Sequence, residues 1–197
     1  NEGDQCYWCK ISEFSEIGES RVQMIDSKNN FRLGFEFKPE EYAQVYAAEI
    51  LEEAKLLIKN KDQKEIVYNI SEDFPLIEAD KDRLIQVFVN LLENAAKYAS
   101  EGSEIVVDTA VGDGNAKIFV KNDCEVIPPK KLNKLFEKFI RLDDNTTRTT
   151  RGTGLGLFIV KGLVEAMDGE IRLYSNEDCG FCAEVTLKLS QVAGAVK

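Results

Sequence analysis

Asn90, Asn94 and Lys97 recur at i, i+4 and i+7 within the stretch NLLENAAKY. On a helix this spacing aligns two amides and an ammonium in one stripe, with Tyr98 at its edge. Mg²⁺ takes oxygen ligands, keeps several of its waters and shares the remaining positions with substrate phosphates. The side-chain oxygen of Asn94 can be one such ligand, Lys97 can neutralise phosphate charge, and Tyr98 can stack on a base. The competing reading of these residues alone is a polar stripe that faces solvent.

A second motif, RGTGLGL, places Gly152, Gly154 and Gly156 immediately before an apolar helical pattern. Glycines let backbone N–H groups approach an anion closely, and the start of the following helix favours phosphate. Taken alone, G-x-G-x-G also occurs in ordinary flexible loops. Here the surrounding residues 145–162 carry Arg148, Arg151 and Lys161 and no acid, a local positive patch suited to a polyphosphate. The polar stretch DDNTTRTTRGTG is expected to be a mobile lid, from Asp143 to Thr153, that orders on nucleotide.

The elements that must position these motifs are legible in outline. Asp80 is the expected cap of the helix carrying the asparagines, with Leu84, Val87, Phe88, Leu91 and Leu92 on its apolar side. EIVVDTA and AKIFVKN alternate on either side of Gly112-Asp113-Gly114-Asn115, a hairpin signal. Residues 40–59 show helical periodicity, FRLGFEF and EIVYNI read as strands, and PPKKLNKLFEKF turns helical after its prolines. LGLFIVKGLVEAM is a helix that Gly169 is placed to end, before the final strand pair EIRLYS and AEVTLKL. The fold class is therefore α+β, a two-layer sandwich with a mixed, mainly antiparallel sheet covered by helices on one face. Residues 1–30 read as a linker or the end of a preceding module, 31–190 as the domain, and 191–197 as a tail.

The chain has 197 residues and a formal net charge of −10, which argues against a nucleic-acid or anionic-membrane surface. No apolar run approaches the roughly 18 residues of a membrane span. It begins at Asn1 without methionine, as expected of a piece of a longer protein. Of its five cysteines, four form the pairs Cys6/Cys9 and Cys179/Cys182. Zinc sites of paired C-x-x-C motifs usually separate the pairs by roughly 15–20 residues, so reduced thiols in a cytoplasmic protein are expected instead. There is no histidine, which removes imidazole acid–base chemistry and the commonest metal ligand.

NLLENAAKY, FEKFIRLD and RGTGLGLFIVKGLVEAMDGEI, in this order, resemble the catalytic ATP-binding domain of sensor histidine kinases, from about Phe31 to Leu189. The resemblance implies ATP and Mg²⁺ as cofactors, with ATP held between the helices and the lid. It implies that Asn94 is the metal ligand, that Asn90 is its companion, and that Lys97 and Arg141 contact phosphates. Tyr98 would border the adenine, and Phe136 and Phe139 would belong to an aromatic box ahead of the lid. Arg151, Gly152, Thr153, Gly154, Leu155, Gly156 and Leu157 would form the phosphate loop. The family reads adenine with an aspartate followed by asparagine and two spaced glycines. The matching stretch here is VKNDCEVIP, so Asn122, Asp123 and Ile127 would line the base site. Asn122 stands where the aspartate belongs, with Asp123 the competing candidate one residue on, and Cys124 and Val126 replace the glycines. In the final motif Gly180 fits, but Phe181 and Ala183 do not.

The expected function is transfer of the ATP γ-phosphoryl to a histidine outside this chain, in two-component signalling. The expected partners are a histidine-bearing dimerisation domain of the same full-length protein, which would be a homodimer, and a response regulator; no nucleic acid is expected. The protein would be cytoplasmic or the cytoplasmic part of a membrane-bound sensor. The alternative is a degenerate nucleotide-binding domain that regulates a partner without catalysis. Related gyrase and mismatch-repair ATPases place a water-activating glutamate near the position of Asn90, and an amide cannot take that proton.

Overall fold

The structure is a computed structural model that describes residues 22–27, 30–35, 42–58, 64–140 and 153–190. The contacts divide the chain into two units, Asn1–Glu41 and Tyr42–Lys197. In the first, β1 (Val22–Ser27) and β2 (Asn30–Phe35) pair antiparallel. β1 lies within the stretch expected to be a linker, and the expected domain start at Phe31 falls inside β2.

The second unit contains β3 (Tyr42–Val45), α1 (Ala47–Leu57), β4 (Ile66–Asn69), β5 (Ile77–Asp80) and α2 (Lys81–Tyr98). These are followed by β6 (Ile105–Gly112), β7 (Asn115–Asn122), the single turn α3 (Pro129–Leu132), α4 (Gly156–Ala166), β8 (Glu170–Asn176) and β9 (Gly180–Lys188). Five strands form one sheet in the order β4-β6-β7-β9-β8. The β4–β6 pair is parallel and the other pairs are antiparallel. This is the mixed, mainly antiparallel sheet expected from the sequence.

β7 shows how the sheet meets the helices. Ala116, Ile118, Val120 and Asn122 are buried, while the alternate residues Lys117, Phe119 and Lys121 are only partly covered. α2 packs against β7, α4 against β8, and α2 lies between α1 and α4. The opposite face of the sheet is polar. On it Lys121 pairs with Asp108 at 2.5 Å, and Tyr174 donates to Glu184 at 2.7 Å. Burial would raise the Asp108 carboxyl, but the hydrogen bonds from Lys121 and Asn69 outweigh it and hold the group below the usual range.

The β6–β7 hairpin turns on Asp113 and Gly114 alone, because Gly112 pairs with Asn115. Both turn residues have positive φ, 55° and 74°, as a turn matched to the right-handed strand twist requires. The helical reading of residues 40–59 is corrected at 42–46, while residues 40, 41 and 59 lie outside the described residues. Tyr42–Val45 is a strand paired with β5, and Tyr46 has extended backbone, so α1 starts only at Ala47. The spacing of Tyr42, Val45 and Tyr46 fits a helix, but main-chain bonds to a strand 32 or more residues away decide the outcome. The end of α4 also differs in detail. Asp168, at φ 53°, is the left-handed residue, and the Gly169 N–H closes the turn on the Val164 carbonyl at 2.9 Å. A side chain at Gly169 would meet the Thr186 carbonyl oxygen at 2.6 Å, so this position is glycine for want of space.

α2 is anchored at its start as the sequence suggests: the Asp80 carboxylate accepts from the Arg83 N–H at 3.0 Å. Seven residues of the helix are buried, Leu84, Ile85, Val87, Phe88, Leu91, Leu92 and Ala95, which fixes its rotation about its own axis. Removing an N-cap of this kind costs about 1 kcal/mol. Asp80→Ala is therefore expected to lower stability by about 1 kcal/mol in a denaturant titration while leaving the far-ultraviolet spectrum unchanged.

Candidate nucleotide site between two helices

With its apolar stripe buried, α2 presents Asn90 and Asn94 toward the start of α4. A methyl group added to Gly156 would lie 3.3 Å from Asn90 Oδ1 and 3.5 Å from Asn94 Nδ2. The asparagine stripe is thus half-buried against a helix N-terminus rather than facing solvent. Asn90 is oriented by its own helix, its Nδ2 donating to the Gln86 carbonyl at 2.8 Å. That leaves Oδ1 turned to Gly156. Lys97 Nζ donates to the Tyr98 hydroxyl at 2.7 Å and sits 4.4 Å from the Tyr98 ring centre.

The first turn of α4 has no side-chain cap and no acidic residue. Its leading N–H groups have no intrahelical acceptor, and the first turn itself supplies no carboxylate to offset the partial positive charge there. Leu155 and Leu157 flank Gly156 and are half-buried, whereas Thr153 is exposed. Gly154 has φ 70° and its carbonyl accepts from the Phe139 N–H at 3.0 Å. Phe136 lies under the Lys161 ammonium, 5.3 Å from ring centre to nitrogen, and Lys161 also pairs with Glu165 at 3.7 Å. The ring of Phe139 is exposed. Arg141, Arg148, Arg151 and Gly152, and the expected lid from Asp143 up to Gly152, lie outside the described residues.

The residues expected at the base site lie at the end of β7. Asn122 is buried, on the same inward face as Val120, and its Nδ2 donates to the Asp123 carbonyl at 3.4 Å. Asp123 is exposed, and its carbonyl also accepts from the Ser100 N–H at 2.8 Å, just beyond the C-terminus of α2. Gly180 holds this segment from the other side. It has φ 60°, and a methyl there would meet the Cys124 nitrogen at 2.5 Å and the Asn122 oxygen at 2.6 Å. Ser175 ties in the next residues, accepting from the Ile127 N–H at 2.8 Å and donating to the Gly180 carbonyl at 2.5 Å.

Ser100, Ser175 and Gln86 are the residues that sequence reasoning does not find. Ser175 bonds a residue 48 positions away, and nothing in the local pattern signals such a pairing. Cys124, Cys179 and Cys182 are free thiols, and Cys6 and Cys9 lie outside the described residues. Burial pushes the Cys182 thiol up to about 12 and raises Cys124 as well, so both are protonated near neutral pH. Among the described residues, no cluster of three or more acidic, cysteine or histidine side chains could hold a metal. No helix among the described residues is long and apolar enough to cross a membrane.

Gly180→Ala would force a methyl into backbone at a left-handed position, a strain of about 2–3 kcal/mol. A loss of that size is expected in chemical denaturation, together with faster amide exchange at Asn122–Cys124.

The sequence pattern of the family described as Histidine kinase-, DNA gyrase B-, and HSP90-like ATPase matches residues 79–191. Among curated relatives, the sensor histidine kinase WalK of Bacillus subtilis (strain 168) is 35% identical over 125 residues, 62% of this chain and 20% of its own length. The sensor protein SrrB of Staphylococcus aureus (strain NCTC 8325 / PS 47) is 36% identical over 96 residues, 49% of this chain and 16% of that protein. The chain thus spans a fifth or less of these relatives. Among solved structures, full-length ShkA in complex with AMPPNP superimposes with a TM-score of 0.66 at 25% identity, covering 78% of this chain and 32% of ShkA. The mycobacterial sensor histidine kinase MprB shares the fold, with a TM-score of 0.63 at 23% identity over 76% of this chain and 99% of MprB. From β5 through β9, then, this chain belongs to the histidine kinase-, DNA gyrase B- and HSP90-like ATPase family, as a histidine-kinase-type ATPase domain related to sensor kinases.

Proposed function

We propose that the cleft between α2 and α4 binds ATP with Mg²⁺, and that the domain passes the γ-phosphoryl to a histidine of a dimerisation domain outside this chain. The observation that carries this reading is the approach of Gly156 to Asn90 and Asn94, which joins two motifs 62 or more residues apart in one site. The AMPPNP complex of the related ShkA supports a nucleotide as the ligand.

In this reading Asn94 Oδ1 would hold Mg²⁺, which would supply neutralisation of phosphate charge. Asn90, fixed by the Gln86 carbonyl, positions the Asn94 amide beside it. Lys97 leaves the Tyr98 hydroxyl for a phosphate oxygen, and the first N–H groups of α4 receive the remaining charge. Arg141 and Arg151 contribute further positive charge. Asn122 reads the base, because it faces inward with Val120, while Asp123 is exposed; Tyr98 and Ile127 border the base. A neutral imidazole is already a nucleophile, so the domain supplies position and charge neutralisation rather than a general base. The remaining partners would be a response regulator and a second copy of the full-length protein, on the cytoplasmic side.

Asn94→Ala is expected to abolish the Mg²⁺-dependent part of ATP binding in calorimetry while leaving the unfolding midpoint within a few degrees of wild type. Undiminished Mg²⁺ dependence would remove the assignment. A carboxylate acceptor is stronger than an amide by about 1.4 kcal/mol, so Asn122→Asp is expected to tighten ATP by about tenfold. Asp123→Ala should change affinity little.

A second reading, a domain that regulates a partner without catalysis, draws on Cys124, which is half-buried where the family has glycine. If neither substitution at 122 or 123 alters affinity and Cys124→Gly raises it, crowding governs the pocket and this second reading prevails.

A further inference from the structure

Phe139 is the one described bulky apolar residue with a left-handed backbone, at φ 65°. Aromatic residues avoid this region because their Cβ crowds the following carbonyl. The Phe139 N–H donates to the Gly154 carbonyl at 3.0 Å, and Gly154 is itself left-handed at φ 70°. The two backbones are in tight contact. A methyl at Gly154 would lie 2.9 Å from both Cα and the carbonyl carbon of Phe139, and 3.1 Å from the Ile140 oxygen. Gly156 follows two residues later, against Asn90 and Asn94.

The Phe139 ring does not account for the strain, since it is 56% exposed. Phe136 and Phe158 make the ring contacts of this region instead, with Lys161 and Lys138 respectively. Strain that persists without side-chain burial is usually a feature of the backbone path.

We propose that Phe139 is a positioning residue that acts through its backbone. Paired with Gly154, it forms a left-handed clasp that sets where α4 begins and so holds Gly156 against the two asparagines. The ring is dispensable relative to the backbone conformation. The affinity arm of the test rests on the nucleotide reading given above; the exchange arm does not.

The test compares two ring-less pairs in the 197-residue chain. Phe139→Gly and Phe139→Asn adopt positive φ at lower cost than Phe139→Ala and Phe139→Val. Two quantities are measured on each: Mg-ATP affinity by calorimetry, and hydrogen exchange of the Ile159 and Val160 amides, the first bonded within α4. The backbone penalty corresponds to about tenfold, so Val is expected to bind about tenfold more weakly than Gly and to exchange correspondingly faster, with Asn beside Gly and Ala beside Val. Gly154→Ala should fall with Val. Equal affinity and equal exchange across the four Phe139 variants would overturn the proposal, whether all are weakened, as a ring function requires, or all resemble wild type. If wild type itself binds no nucleotide while the exchange order holds, the clasp stands and the nucleotide reading alone fails.

Discussion

The site depends on one close approach, that of the Gly156 backbone to the amides of Asn90 and Asn94. Everything around it fixes the two helices that meet there. α2 is set by its buried stripe and by the Asp80 cap, so Asn90 and Asn94 face the start of α4. α4 is set by Val160, Leu163 and Val164 beneath it and by the tight turn at Asp168–Gly169. A rotation of α2 that preserved its apolar burial is not available, because its buried positions run from Leu84 to Ala95. Core packing therefore does the aiming, and the polar groups inherit it.

The end of β7 is built differently. Asn122 is not on a helix, and no apolar stripe aims it. It sits at a strand end where the β7–β9 register shifts between Lys121 and Asn122. Such irregularities re-aim a side chain at the rim of a sheet. What makes the irregularity reproducible is a set of short polar ties: Ser100 to Asp123, Ile127 to Ser175 and Ser175 to Gly180. None is strong alone, at about 0.5–1.5 kcal/mol each, but together they join three segments distant in sequence. The α2–α4 contact is held by hydrophobic burial and the end of β7 by hydrogen bonds, so the latter should open at lower free energy.

How much of this could be read in advance follows from the range of each signal. The Asp113–Gly114 turn, the Asp80 cap and the α2 stripe are written within a few residues, and all three are visible in the sequence. β5 has only four residues and exists because β3 pairs with it, so neither strand carries a usable period of its own. The same holds for Phe139: nothing in its residue type announces a left-handed backbone, which arises from Gly154 fifteen positions later. The asparagine stripe lies between these cases. Its spacing is local and legible, but that it faces another helix rather than water is a tertiary fact.

The bare start of α4 has a thermodynamic meaning. A helix that lacks a capping side chain and an acidic first turn gives up part of the stability most helices have. An anion seated there would supply the missing cap, so the ligand becomes a structural component of the helix. By mass action, a ligand at a hundredfold its dissociation constant adds about 2.7 kcal/mol to the native state. The melting temperature of such a domain then tracks its nucleotide supply, and a depleted cell would hold a softer, more easily proteolysed protein than a well-fed one.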